Sequence, residues 1–109
     1  MSKRKASNKL RAQVFRSLSE PDTLRVLEVL LGPLPEGRAS QVGEKAGMNE
    51  DEAFAQLGVL RKSQLLLVRR VGPHNYYRVF DPPTVAKILE SADDMLSKLE
   101  EMRRKGTIK

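Results

Sequence analysis

Leu65-Leu66-Leu67-Val68-Arg69-Arg70-Val71-Gly72-Pro73-His74-Asn75-Tyr76-Tyr77-Arg78-Val79-Phe80 is the stretch whose reading decides the fold. Neither flank has the three-to-four spacing of a helix. Both are rich in valine, leucine or aromatic residues, and the glycine, proline and asparagine between them supply a turn. The stretch therefore reads as two strands joined at a Gly72-Pro73-His74-Asn75 tip. Between residues 61 and 78 there is no carboxylate, while Arg61, Lys62, Arg69, Arg70 and Arg78 give five positive charges, so the hairpin is a basic ribbon.

Upstream of the ribbon the apolar spacing is helical throughout. Leu10, Val14, Phe15 and Leu18 mark a first helix from about Asn8 to Leu18. Ser19-Glu20-Pro21-Asp22 then punctuates, and Leu24, Leu27, Leu30 and Leu31 follow as a second helix, with proline at its first turn. Gly32-Pro33-Leu34-Pro35-Glu36-Gly37 holds two prolines and two glycines and reads as a connecting loop. A two-turn third helix opens at Ala39 or Ser40, buries Val42 and Ala46, and stops at Gly47, the residue type that most easily takes the left-handed conformation at a helix end. Asn49 caps a fourth helix whose first turn carries Glu50, Asp51 and Glu52, complementing the positive end of the helix dipole. Ala53, Leu57 and Leu60 form its buried stripe, and Arg61 and Lys62 close it. Beyond the ribbon, Asp81-Pro82-Pro83 starts a last helix in which Val85, Ile88, Leu89, Ala92, Met95, Leu96, Leu99 and Met102 step by three or four.

At 109 residues the chain has room for one domain, and 39% hydrophobic with 31% charged residues suits a packed core without a membrane span. Zero cysteines exclude thiolate catalysis, cysteine-ligated zinc and disulfides, which suits a reducing cytoplasm. No glycine-rich phosphate cradle occurs, and nothing spaces Ser40 or the single histidine, His74, for nucleophilic catalysis, so no enzyme is indicated. The net charge of +6 resides in the first 19 residues, which hold six cations and no carboxylate. Residues 1–9 accordingly read as a basic arm, either solvated or bound to nucleic acid, 10–103 as the folded domain, and 104–109 as a basic tail.

Four helices, a basic hairpin and a fifth helix, mainly α with a β wing, make the winged helix-turn-helix arrangement. The run Leu18-Ser19-Glu20-Pro21 with Leu24-Arg25-Val26-Leu27, then Val59-Leu60-Arg61-Lys62, then Gly72 and Tyr76-Tyr77-Arg78-Val79, resembles the ArsR-type (arsenical-resistance repressor) family of transcriptional regulators over about residues 10–100. The resemblance implies a homodimer built from the first and last helices, bound to double-stranded DNA through the fourth helix and the wing, most simply as a repressor on a palindromic operator. Leu10, Val14, Val85, Ile88, Leu89, Ala92, Met95, Leu96 and Leu99 would then form the dimer seam; an intramolecular core is the competing account of the same stripe.

Two departures from the family bear on function. Relatives hold metals through cysteines on the third helix or through histidine and carboxylates on the last; here the third helix has no thiolate, the last has no histidine, and a lone His74 makes a poor site, so neither metal nor cofactor is expected. Where relatives present small hydroxyl residues and a histidine to the bases, this chain has Asp51, Glu52, Phe54 and Gln56. Carboxylates accept from cytosine N4, glutamine pairs with adenine, and an apolar side chain packs on a thymine methyl. With these, the expected DNA contacts are Asn49, Phe54 and Gln56 on the fourth helix; Ser40 and Gln41 at the start of the third, toward phosphate; Arg61 and Lys62 at the join to the wing; and Arg69, Arg70, His74, Asn75 and Arg78 on the wing. A charged edge strand that blocks aggregation is the alternative account of the wing arginines. The rival function is a protein-interaction module in which exposed Phe54, set among carboxylates, docks on a partner.

Overall fold

The computed structural model describes residues 7–106. Five helices and three short strands follow in the order α1 (Asn8–Ser17), α2 (Pro21–Leu31), β1 (Glu36–Gly37), α3 (Ala39–Ala46), α4 (Glu50–Lys62), β2 (Leu66–Val71), β3 (His74–Val79) and α5 (Pro82–Arg104). The expected winged helix-turn-helix is present, and its helix boundaries follow the punctuation. Ser7 caps α1 by accepting from the Leu10 N–H at 3.2 Å, and Asn49 caps α4 by accepting from the Glu52 N–H at 2.8 Å. Pro21 occupies the first turn of α2, and Gly47, at φ +74°, ends α3. Gln64 takes the left-handed conformation at φ 64° and reverses the chain from α4 into β2.

Two details differ from the sequence reading. The stretch taken as a pure connecting loop contains β1, which pairs antiparallel with β3 through Glu36 opposite Arg78 and Gly37 opposite Tyr77, so the wing is a three-stranded sheet in the order β1-β3-β2. The hairpin tip is only Gly72-Pro73: His74 and Asn75 lie within β3, opposite Val71 and Arg70, and Gly72 supplies the positive φ of +60° that such a two-residue turn demands. The first helix begins at Asn8 as its spacing predicts, α5 runs through Arg104, and residues 1–6 of the basic arm and 107–109 of the tail lie outside the described residues.

The core lies between α2, α3, α4 and the sheet. Val26 and Leu27 from α2, Val42 from α3, Leu57 and Leu60 from α4 and Val79 from β3 are fully or almost fully enclosed. The helix α5 contributes one buried residue to this core, Val85, at 4% exposure. Of the two accounts of Val85, subunit seam or intramolecular core, its burial in the single chain fits the second, because the first turn of α5 still packs against the domain. Leu89 and Val14 also pack partly on this core, whereas Ile88, Met95, Leu96 and Leu10 remain 38–57% exposed. The remainder of α5 projects away, and the radius of gyration of 16.2 Å exceeds the about 13 Å of a compact chain of this length.

Candidate nucleic-acid interface

Helices α3 and α4 meet through a glycine. Gly43 lies where a Cβ would come within 2.8 Å of the Met48 carbonyl oxygen and 3.1 Å of that of Asn49, so the close helix-turn-helix angle requires its missing side chain. With Ala53, Leu57 and Leu60 turned inward, the outward ridge of α4 is Asp51, Ala55, Gly58 and Lys62, with Glu50, Phe54 and Arg61 beside it on the wing side. Phe54 is 60% exposed, and a Cβ at Gly58 would meet open space.

The wing stands beside that ridge. An open cleft of about 210 Å³ separates them, with Ser40, Glu50 and Phe54 on the helical side and His74 and Asn75 on the wing side, closed at its base by Arg38 and Tyr77. Four residues singled out from the sequence, Ser40, Phe54, His74 and Asn75, thus converge on one feature. Arg61 and Lys62 are exposed at the end of α4.

Other expected contacts go elsewhere. Gln56 does not present its amide outward: its oxygen accepts from the fully buried Thr23 hydroxyl at 2.6 Å, which fixes it toward α2. Asn49 is consumed as a cap, accepting from the Glu52 N–H and donating its own amide N–H to the Glu52 carboxylate at 2.6 Å. The Gln41 oxygen folds back to accept from the Arg38 N–H at 2.9 Å, closing the start of α3. The wing arginines do not form one row. Strand alternation and the observed register put Arg69, Tyr76, Arg78 and Glu36 on one face, while Arg70 and Asn75 share the face of buried Tyr77.

On the outer face Arg69 reaches over β3 to Glu36, with guanidinium nitrogens at 2.7 and 3.3 Å from its carboxylate oxygens and the guanidinium carbon 5.3 Å from the Tyr76 ring centre. The hydrogen bond from Arg69 holds the Glu36 carboxyl below its ordinary pKa. Arg69 is therefore already paired with a carboxylate of β1. Its neighbour Arg38 is a functional candidate that the sequence reading passed over; its Nε–H is buried without a protein partner at the base of the cleft. The arginine directly after Gly37 was the available signal, and it was hidden by reading Gly32 to Gly37 as loop.

No family model matches the chain. It is 31% identical over 111 residues, covering 91% of this chain and 92% of the relative, to an uncharacterized HTH-type transcriptional regulator of Mycobacterium tuberculosis, Rv0081. The chain belongs to the HTH-type transcriptional regulators. This regulator superimposes on the crystal structure of M. tuberculosis Rv0081 with a TM-score of 0.72 at 27% identity, over 92% of its own length and 98% of the other chain. A second match is the solution structure of a homodimeric winged helix-turn-helix DNA-binding domain from Mycobacterium bovis, a possible ArsR-family regulator, with TM-score 0.68, 24% identity, and coverage of 86% and 91%. The regulator thus has the winged helix-turn-helix fold of these neighbours. Among its described residues no three histidine, aspartate or glutamate side chains are grouped to hold a metal ion, and no helix is long and apolar enough to cross a membrane.

Proposed function

We propose that this regulator works as a homodimer that binds duplex DNA sequence-specifically and represses transcription by occluding a promoter. Two copies pair through α1 and the projecting part of α5. Each α4 enters a major groove, and each wing follows the adjoining phosphates, so the operator is a palindrome with half-sites about one helical turn apart. The observation that carries this reading is the cleft between α4 and the wing: an exposed helix ridge and a basic hairpin stand side by side, with Arg38 between them and Arg61 and Lys62 at the ridge's end. The M. bovis neighbour, described as a homodimeric DNA-binding domain, supports the same assembly.

Within this reading the phosphate contacts fall to Ser40, Arg61, Lys62, Arg70, His74 and Arg38. The anionic first turn of α4 must be approached by bases rather than phosphates, since cations supply the counterion release that drives binding. The proposal involves no metal, as a chain with no cysteine and one histidine lacks the usual thiolate and imidazole ligands.

Fluorescence anisotropy with labelled duplexes, including DNA upstream of the regulator's own coding region, tests the proposal. The logarithm of affinity should fall linearly with the logarithm of salt concentration, with a slope near 0.9 per phosphate neutralised. Lys62→Glu and Arg70→Glu should weaken binding uniformly across sequences. Absence of salt-sensitive binding to every duplex tried would overturn it in favour of a protein-docking role for Phe54.

A further inference from the structure

The reading ridge of α4 carries almost no hydrogen-bond donor. Between residues 50 and 59 the only side chain with an N–H is Gln56, and its oxygen is tied to buried Thr23 on the inner side of the helix. Asn49, just before, is bound to Glu52 through both its oxygen and its nitrogen, which also occupies the Glu52 carboxylate. What remains outward is the carboxylates Glu50 and Asp51, exposed Phe54, and the short residues Ala55 and Gly58, beside which a helix can approach a groove floor closely.

In the major groove these groups suit one kind of base edge. A carboxylate accepts from the cytosine N4 amino group, and an aromatic side chain packs on the 5-methyl of thymine. Guanine presents only acceptors, N7 and O6, which repel a carboxylate. Adenine sets its acceptor N7 beside its single donor, the N6 amino group, so a group that only accepts matches it less well than it matches cytosine. Glu50 and Phe54 are four residues apart on one ridge, about 6 Å along the axis, which is about two base steps at 3.4 Å each. Resting on the DNA-binding role proposed above, we infer that α4 reads pyrimidine edges: cytosine through Asp51 or Glu50, and within two base pairs of it a thymine methyl through Phe54. Arg61 and Lys62, at the far end of the helix, hold phosphates.

Selection from a random duplex library with the full chain, followed by affinity measurements on the recovered half-site, tests the inference. The recovered site should contain a cytosine and a thymine facing α4. Replacing that thymine by uracil removes only the methyl and should weaken binding about fourfold, the worth of one apolar carbon. In Phe54→Ala the thymine and uracil duplexes should bind equally, while the salt slope stays unchanged. Asp51→Asn and Glu50→Gln each convert an acceptor into a group that also donates, and the one at the reading position should move the preferred base from cytosine toward adenine. A recovered site in which no thymine-to-uracil change matters, or in which neither Asp51→Asn nor Glu50→Gln shifts a base, overturns the inference while leaving DNA binding intact. Failure to retain any duplex in a salt-sensitive way overturns both.

Discussion

Thr23 and Gln56 show how one side chain is withdrawn from a surface by a buried partner. The Thr23 hydroxyl has no exposure and donates to the Gln56 oxygen at 2.6 Å, so turning Gln56 outward would strand a polar group in the core. Gln56→Ala strands that hydroxyl and should cost about 1–2 kcal/mol in chemical denaturation with no change in base preference; a change in base preference would mean that Gln56 reaches the groove after all. Glu36 makes the converse case at the surface. Its folded-state pKa is depressed, so the small stabilisation it gives is present above the ordinary carboxylate range and is lost as pH falls through the depressed value. At neutral pH the carboxylate occupies Arg69. Glu36→Gln should therefore free a cation on the wing and steepen the salt dependence of DNA binding by up to about one phosphate, a slope change near 0.9; an unchanged slope would show that Arg69 stays clear of the backbone. The basic charge of residues 61–78 was legible in the sequence, but its partition was not. Arg69 and Arg70 are adjacent, and strand alternation sends adjacent residues to opposite faces, only one of which carries Glu36.

Among the elements, the helices were readable by their three-to-four stripes, and α2 and α4 also by a chemically distinct start. Asn49 with three carboxylates opens α4, and Pro21 opens α2. The strand β1 has two residues, too few to show any period, and its pairing with β3 is a tertiary fact. The glycines of the helix-turn-helix separate two roles that a sequence cannot tell apart. At Gly43 the atoms that would meet a new methyl are backbone carbonyl oxygens of the α3–α4 turn, which cannot swing aside as a side chain would. Gly43→Ala should destabilise the protein by about 1–3 kcal/mol and spread α3 from α4, weakening DNA binding in parallel. Gly58, by contrast, faces open space in mid-helix. Gly58→Ala should raise stability by about 0.5–1 kcal/mol yet reduce affinity, because the added methyl stands on the ridge that approaches the bases. Thermal melts paired with anisotropy titrations measure both effects, and a Gly58→Ala variant with unaltered affinity would remove that ridge from the interface.

For the whole molecule, the shape poses the question that the proposed dimer answers. The helix α5 is 23 residues long and buries only Val85, while Ile88, Met95 and Leu96 lie 38%, 57% and 55% exposed along the part that leaves the domain. A single stripe of eight apolar residues in the sequence is thus divided by the fold. Its first two turns, through Val85 and Leu89, complete the core, and its later turns leave Met95 and Leu96 as an apolar surface that Leu10 and Phe15 of α1 extend. Periodicity alone could not locate the division, since both halves have the same spacing and differ only in what the domain places opposite them. The division predicts two separable phenotypes. Val85→Ala should lower the unfolding free energy of the chain by about 1–3 kcal/mol and leave its association constant, corrected for the unfolded fraction, near that of the unaltered protein. Leu96→Asp sets a charge in the proposed seam without touching the core. It should retain the helical circular dichroism of a folded protomer, sediment as a monomer in analytical ultracentrifugation, and lose DNA affinity, because one protomer holds only half of the phosphate contacts. If Leu96→Asp still sediments as a dimer, the copies pair through another surface, and the spacing of half-sites expected from α5 would have to be redrawn.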